Sequence, residues 1–177
     1  EDLFAPEDID YFRLVRQQCA TPIAMGELFS NVSEYVPLMR ERLIDFIRVH
    51  ISTIGGFSMA RKIAAFGELL GVRSAFHGPG DVSWFGHAAN IHLDLTIPNF
   101  GIQEFTPWMH SAPLREIFPV VPELKDGCLW ATDLPGWGVT MDEKAAAKYA
   151  LEQSWEDGNT NGAWPDIRRW DGNVVKP

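Results

Sequence analysis

The stretch TPIAMGELF, residues 21–29, combines a short apolar run with a carboxylate at its end. Ile23, Ala24 and Met25 are apolar enough to form a buried strand, and Gly26 then breaks the pattern. Glu27 follows directly, so its carboxylate lies where the strand ends. A charge in that position belongs either to a solvated loop or to a site at the end of a sheet.

Helical and strand-like segments alternate along residues 1–105. Amphipathic spacing predicts helices over residues 11–18, 30–43, 58–71 and 84–97. Runs rich in apolar and β-branched residues predict strands over residues 21–27, 45–52, 72–77 and 99–105. Strands and helices that alternate at this spacing favour βα units on a parallel sheet, open or closed into a barrel. The sequence therefore predicts an α/β fold.

Residues 106–177 differ in composition from the segment before them. They contain seven of the twelve prolines, and Asp-Gly turn signals begin at positions 126, 157 and 171. One helix is predicted over residues 141–153, and the remainder is expected to be irregular. We therefore divide the chain into a barrel-like part, 1–105, and a C-terminal extension, 106–177.

Composition limits the functional classes. The 177 residues are 46% hydrophobic and carry a formal net charge of −9, so one globular domain with a real core is expected. The absence of a basic block argues against nucleic acid, and the absence of an apolar run of roughly 18 residues argues against a membrane helix. Cys19 and Cys128 lack metal or disulfide spacing, which favours a reduced, cytoplasmic setting.

Four polar side chains stand at or near the carboxyl ends of the four predicted strands: Glu27, Arg48, His77 and Glu104. In α/β barrels these strand ends form one face, so the four are expected to converge on one cavity. Arg48 lies inside the run FIRVH, where an unpaired guanidinium is costly, so it requires a carboxylate partner or an anionic ligand. His50 shares the face of Arg48 and is a second-rank candidate.

Two glutamates with an arginine and a histidine, and no cysteine, indicate a site for a hard cation. Oxygen ligands favour Mg²⁺, which binds one or two carboxylates together with water and a substrate oxyanion. Such an ion can hold a carboxylate substrate and offset the charge that grows when its α-proton leaves. Glu1 and Asp2 would supply a further ligand if they too follow a strand.

The runs TPIAMGELFSN, LIDFIRVHISTIGG, FHGPGDVSWFGHAANIHLDL and NFGIQEF together resemble the enolase superfamily. The most similar branch is that of mannonate dehydratase and the starvation-sensing-like acid-sugar dehydratases. The resemblance implies a modified (β/α)7β, TIM-like barrel with a capping domain. It places residues 1–105 in the C-terminal half of the barrel, from the end of strand 4 to strand 8. Residues 106–177 would pack on the barrel and contribute to the capping domain.

The resemblance also implies roles for individual residues. Glu1 of the ED pair and Glu27 of the PIA-x-GE motif match magnesium ligands of the family. The side chains that match contacts to the sugar acid are Glu27, Arg48, His77, Asp81 and Glu104. His77 is also a candidate catalytic acid or base, since its unperturbed pKa lies near neutrality, although this is not its usual role in the branch.

Some motifs of the family have no match in the chain. The family's first metal ligand belongs to a D-x-H motif, and its main acid–base groups are that histidine and a tyrosine, all upstream of the segment that matches here. The chain is thus expected to be the C-terminal portion of a longer protein, to lack these groups, and to pair with the N-terminal half. Unpaired sheet edges further favour a homo-oligomer.

The implied function is Mg²⁺-dependent dehydration of a sugar acid of the mannonate or gluconate type. Removal of the C2 proton, stabilisation of an enediolate and loss of the C3 hydroxyl would give a 2-keto-3-deoxy acid. The alternative is a non-catalytic or weakly active regulatory homologue that still binds the sugar acid. Racemase or epimerase chemistry would require a histidine–aspartate dyad across two strand ends. The chain has Arg48 where that aspartate would stand, which counts against this chemistry.

Overall fold

The computed structural model describes residues 1–5 and 7–149. Five α-helices precede residue 143: α1 (Ile9–Arg16), α2 (Val32–Arg40), α3 (Phe57–Leu70), α4 (Trp84–Asp94) and α5 (Ala112–Ile117). The short strands are β1 (Ala24–Met25), β2 (Phe46–Ile47), β3 (Arg73–Ser74), β4 (Glu123–Lys125) and β5 (Cys128–Trp130).

Strands β1, β2 and β3 form a parallel sheet in that order. Ala24 pairs with Phe46, which in turn pairs with Arg73. The strand predicted over 99–105 is longer than the structure shows. This segment contributes only an isolated parallel bridge from Phe100 to Ser74. Its chain is nevertheless held beside β3, since the N–H groups of Gly101 and Ile102 both donate to the Ser74 carbonyl.

The helices between these strands begin and end where local side chains satisfy the backbone. Asn31 and Glu34 form a capping box at the start of α2. Ser83 accepts a hydrogen bond from the Gly86 N–H at the start of α4. Gly71 ends α3 in the left-handed conformation, at the position the sequence predicts. Because the strands that these helices connect are parallel, each connection returns the chain to the same end of the sheet.

The main core lies between the sheet and the helices. It contains fully buried side chains from successive elements, including Phe12, Met25, Leu38, Ile47 and Ile63. Complete burial of an aliphatic or aromatic side chain of this size contributes about 1.5–3 kcal/mol. This packing fixes the strand ends relative to one another and so gives the side chains at those ends a rigid support.

The segment after residue 105 is more ordered than the sequence predicts. A 3₁₀ helix spans Pro107–His110, α5 follows, and β4 and β5 form an antiparallel hairpin. The hairpin turn has positive φ angles at Asp126 and Gly127, the backbone that Asp-Gly favours in a two-residue turn. A small apolar cluster packs this segment against Trp84. The expectation of irregular chain is wrong over residues 107–130.

Residues Glu1–Glu143 form one compact unit. A sixth helix, α6 (Glu143–Ala147), covers part of the helix predicted over 141–153, the end of which lies outside the described residues. Among the described helices, none combines the length and the apolarity that a membrane span requires.

Candidate functional site

The four strand-end side chains that the sequence singles out lie together. Glu27 is two residues beyond β1, Arg48 immediately follows β2, and His77 is three residues beyond β3. Glu104 is four residues beyond the bridge at Phe100. Because the strands are parallel, these positions fall at one edge of the sheet, and their side chains contact one another.

Arg48 is the centre of the cluster and is only 3% exposed. Its Nη1 contacts Glu27 closely and lies 3.0 Å from Asp2 Oδ2. Its Nη2 donates to Glu104 Oε2 across 2.7 Å, and its Nε lies 3.1 Å from Glu1 Oε2. Burial alone would lower the pKa of Arg48, but the hydrogen bond to Glu27 and the charge of Glu104 outweigh it and raise the pKa. The guanidinium is therefore a permanent cation.

The cluster carries an excess of negative charge. Four carboxylates (−4) face one guanidinium (+1), which leaves a formal charge of −3. Burial raises the pKa of Asp2, and the N–H of Gly26 and the charge of Arg48 offset this only in part. Carboxylate oxygens are hard ligands, so this donor set and its uncompensated charge fit a divalent cation such as Mg²⁺.

The two predicted metal ligands differ in their setting. The Glu27 side chain is 12% exposed, whereas that of Glu1 is 59% exposed, and both contact Arg48. Within the described residues, no third acidic, histidine or cysteine side chain completes a compact group of three with this pair. The group of that kind that does occur there joins His50, His77 and Asp81. Glu1 and Glu27 thus provide at most part of a coordination sphere.

His77 is buried, and carboxylates face both of its ring nitrogens. Nδ1 lies 3.3 Å from Glu27 Oε2 and 3.5 Å from Glu104 Oε2. Nε2 lies 3.2 Å from Asp81 Oδ1, within hydrogen-bonding distance. The His77 ring therefore connects the carboxylates around Arg48 with the half-exposed carboxylate of Asp81.

The backbone of the loop HGPGD holds His77 in place. The N–H of Gly78 donates to Glu104 Oε2 at 3.0 Å, and a Cβ at Gly78 would lie 1.9 Å from the Glu104 carbonyl oxygen. Only glycine permits so close an approach of the two segments. The buried side chain of Asn90 on α4 donates to the His77 carbonyl at 3.1 Å. The loop is thus fixed to both the sheet edge and the neighbouring helix.

A cavity of about 410 Å³ adjoins the cluster. Its lining residues are Glu1, Pro22, Ala24, Phe46, Arg48, Ala75, Ile102 and Glu104. Another cavity, of about 580 Å³, is lined by Pro107, His110, Arg115, Val121, Glu123 and Leu124, none of which the sequence predicts as a site residue. The smaller cavity is the better candidate site, because a buried guanidinium and carboxylates stand at its wall.

Three further side chains, which the sequence pattern marks weakly or not at all, belong to the site or support it. Asp2 accepts the Gly26 N–H and contacts Arg48, so it belongs to the cluster as fully as Glu1 does. The sequence signal for Asp2 is its place in the Glu1-Asp2 pair. His50, placed second in rank, lies 3.8 Å from Asp81. Asn90 had no sequence signal, since its role depends on the packing of α4 against the loop.

Comparisons with known proteins agree with this architecture. The family model described as enolase C-terminal domain-like matches residues 1–145. A D-galactonate dehydratase family member of Salmonella enteritidis PT4 is 52% identical over 177 residues, which are 100% of this chain and 40% of that protein. A D-galactonate dehydratase family member of Pantoea ananatis is 51% identical, with the same coverage.

A solved structure extends the likeness to three dimensions. It is described as an enolase from Pantoea ananatis with bound d-gluconate and mg, and it superposes with a TM-score of 0.85 at 49% identity. The superposition covers 99% of this chain and 40% of that one. The fold and the parallel βα site together define an α/β protein of the enolase superfamily. The chain belongs to the enolase C-terminal domain-like family, and it spans 40% of the length of these relatives.

Proposed function

We propose that the protein containing this chain dehydrates a sugar acid of the mannonate or gluconate type to a 2-keto-3-deoxy acid, with Mg²⁺ as cofactor. The observation that carries the proposal is the convergence of Glu27, Arg48, His77 and Glu104 at the ends of consecutive parallel segments. The likeness to a structure with bound d-gluconate and mg supports the choice of ligand class. Assignment to the mannonate dehydratase branch is part of the same proposal.

Glu1 and Glu27 are the proposed ligands of this chain for the cation, and Asp2 adds to the negative field that attracts it. When bound, the ion neutralises charge on the substrate carboxylate and so makes loss of the C2 proton easier. Arg48 offsets part of the negative charge of the cluster and so reduces the repulsion that an anionic substrate would meet. His77, Asp81 and Glu104 provide donors and acceptors for hydroxyl groups.

A second candidate function is binding of a sugar acid without turnover, as in a regulatory homologue. One observation favours it: both ring nitrogens of His77, the acid–base candidate of this chain, face carboxylates. A histidine in that setting suits binding and orientation better than proton transfer to a substrate carbon. Under the first proposal, the principal acid and base therefore come from residues outside this chain.

The test uses the protein expressed from its complete coding sequence. D-Mannonate, D-gluconate and D-galactonate are incubated with the protein and Mg²⁺, and the 2-keto-3-deoxy product is measured as its semicarbazone. We expect turnover of at least one acid, loss of turnover with EDTA, and recovery when Mg²⁺ is restored. Calorimetric binding of an acid without product supports the second candidate. If no acid binds and no product forms, both candidate functions are overturned.

A further inference from the structure

His50 and Asp81 lie at the edge of the site, and the proposed chemistry uses Asp81 but gives His50 no role. His50 is two residues beyond Arg48 and largely buried, with 14% of its side chain exposed. The Asp81 side chain is 51% exposed. His50 Nε2 lies 3.8 Å from Asp81 Oδ2, which is too far for a direct hydrogen bond.

The tautomer of His50 follows from its backbone contact. The N–H of Ser52 donates to His50 Nδ1 at 3.1 Å, so this nitrogen is an acceptor. A neutral imidazole carries its proton on the other nitrogen, which makes Nε2–H a donor directed towards Asp81. Burial, and then the neighbouring charge of His77, lower the pKa of His50, which keeps the ring neutral at pH 7.

The two oxygens of Asp81 have different surroundings. Oδ1 lies 3.2 Å from His77 Nε2, within hydrogen-bonding distance. Oδ2 faces His50 across the longer gap. The His50 and His77 rings lie side by side, with centroids 5.0 Å apart, so neither ring can turn freely. Asp81 is held through Oδ1 by His77, which leaves Oδ2 facing His50 Nε2 across 3.8 Å.

A hydroxyl group has the chemistry that this gap requires. The oxygen of a hydroxyl group accepts from an N–H, and its hydrogen is donated to a carboxylate. Placed beside a gap of this width, the hydroxyl oxygen can lie about 2.8 Å from both Nε2 and Oδ2. A carboxylate would be repelled by Asp81, and an ammonium could not accept from Nε2–H. A metal ion bound at Nε2 would require the proton to move to Nδ1. Two donors, Nδ1–H and the Ser52 N–H, would then face each other without an acceptor.

We propose that His50 and Asp81 together bind one hydroxyl group of the sugar acid, with His50 as donor and Asp81 as acceptor. This inference rests on the proposed function, since it assigns a specificity determinant within the same site. Such a site binds an analogue that lacks the hydroxyl more weakly, because the Nε2–H of the largely buried His50 would lose its acceptor. His50 thus selects for one oxygenated carbon of the substrate.

Three variants of the complete protein separate this role from a structural one. His50→Leu removes the donor. His50→Asn can still accept from Ser52 but is too short to reach the hydroxyl. His50→Gln carries an N–H at about the position of Nε2. With D-gluconate and Mg²⁺ in calorimetry, we expect the Leu and Asn variants to bind about tenfold more weakly or worse, and the Gln variant to bind within a few-fold of the unaltered protein.

Monodeoxy analogues of the same acid identify the hydroxyl. One analogue should bind the unaltered protein about tenfold more weakly, and His50→Leu should not weaken its binding further, as in a double-mutant cycle. Long-range ¹H–¹⁵N NMR of the unbound protein should show His50 as the Nε2–H tautomer. Equal gluconate affinity in all variants, or an Nδ1–H tautomer, would overturn this inference and leave the proposed function standing. Failure of the unaltered protein to bind any sugar acid would overturn the proposed function and this inference with it.

Discussion

Arg48 Nη2 donates to Glu104 Oε2 across 2.7 Å, and the same oxygen accepts the Gly78 N–H at 3.0 Å. One carboxylate oxygen therefore joins the arginine beyond β2 to the loop beyond β3. Arg48 also contacts Glu27 beyond β1, so the guanidinium and the Glu104 carboxylate together link the ends of the parallel segments. A change in any one of these side chains is expected to alter both ligand affinity and the geometry of its neighbours.

Replacement of Glu27 by glutamine should weaken Mg²⁺ binding by about tenfold or more, the equivalent of about 1.4 kcal/mol. The amide keeps the size of the side chain but loses the charge of a proposed ligand. Calorimetric titration of Mg²⁺ into the complete protein measures the effect. Glu68→Gln, an exposed change on α3, is the matched control and should leave the affinity unchanged. Equal Mg²⁺ affinity in the Glu27 variant would remove Glu27 from the metal site.

Replacement of Arg48 by methionine should weaken sugar-acid binding by about tenfold or more and lower the melting temperature. Four carboxylates would lose their shared cation, and removal of one partner from a buried charged cluster is destabilising. Arg48→Lys keeps the charge without the planar fork, so its affinity should be intermediate. Calorimetry and thermal unfolding give the two quantities. An unaltered affinity in the methionine variant would exclude Arg48 from the binding site.

The protein should lose stability as the pH falls from 6.5 towards 4, in part because of His87. This side chain is fully buried, and burial lowers its pKa from 6.5 to about 4. Below pH 6.5 the unfolded chain binds a proton that the folded chain does not, so the free energy of unfolding falls until about pH 4. The shift corresponds to roughly 3 kcal/mol.

Urea unfolding of the unaltered protein and of His87→Leu at pH 7 and pH 4.5 isolates this contribution. The variant should lose less stability over this interval, whatever its stability at pH 7. His92→Gln serves as the control for a histidine on the same helix outside the fully buried core. The same loss in the His87 variant as in the unaltered protein would contradict the assignment.

Replacement of Asp94 by asparagine should stabilise the protein at pH 7 and have no such effect near pH 3.5. Burial raises the pKa of Asp94 to about 8, and neither carboxylate oxygen has a hydrogen bond of good geometry. Above pH 3.8 the unfolded chain releases this proton while the folded chain retains it, so the residue costs stability at neutral pH.

Thermal unfolding at the two pH values measures the Asp94 effect, and an increase of several degrees is expected at pH 7. Asp133→Asn, an exposed change, should be neutral at both. A stabilisation of equal size at both pH values would show that the effect does not arise from the buried charge.

The helices could be predicted from the sequence more accurately than the strands. The helix predicted over 58–71 is observed as Phe57–Leu70, because a periodic apolar face and a terminal glycine mark its length. The apolar run 21–27 contributes only two residues to the ladder. Burial makes a segment apolar whether or not it is hydrogen-bonded to a neighbouring strand, so composition overestimates strand length. The hairpin at 123–130 was missed, although Asp126-Gly127 between two short apolar runs was its signal.

By itself, the sequence determined the α/β class and the convergence of Glu27, Arg48, His77 and Glu104, because side chains at the ends of parallel strands share one edge. Only the tertiary structure decided how these groups pair: one guanidinium is shared among four carboxylates, Asn90 supports the His77 loop, and His50 faces Asp81 across a gap. Position along the chain is a local property that a pattern can reveal. Distances between side chains are set by the packing of distant segments, and the sequence encodes them only through the completed fold.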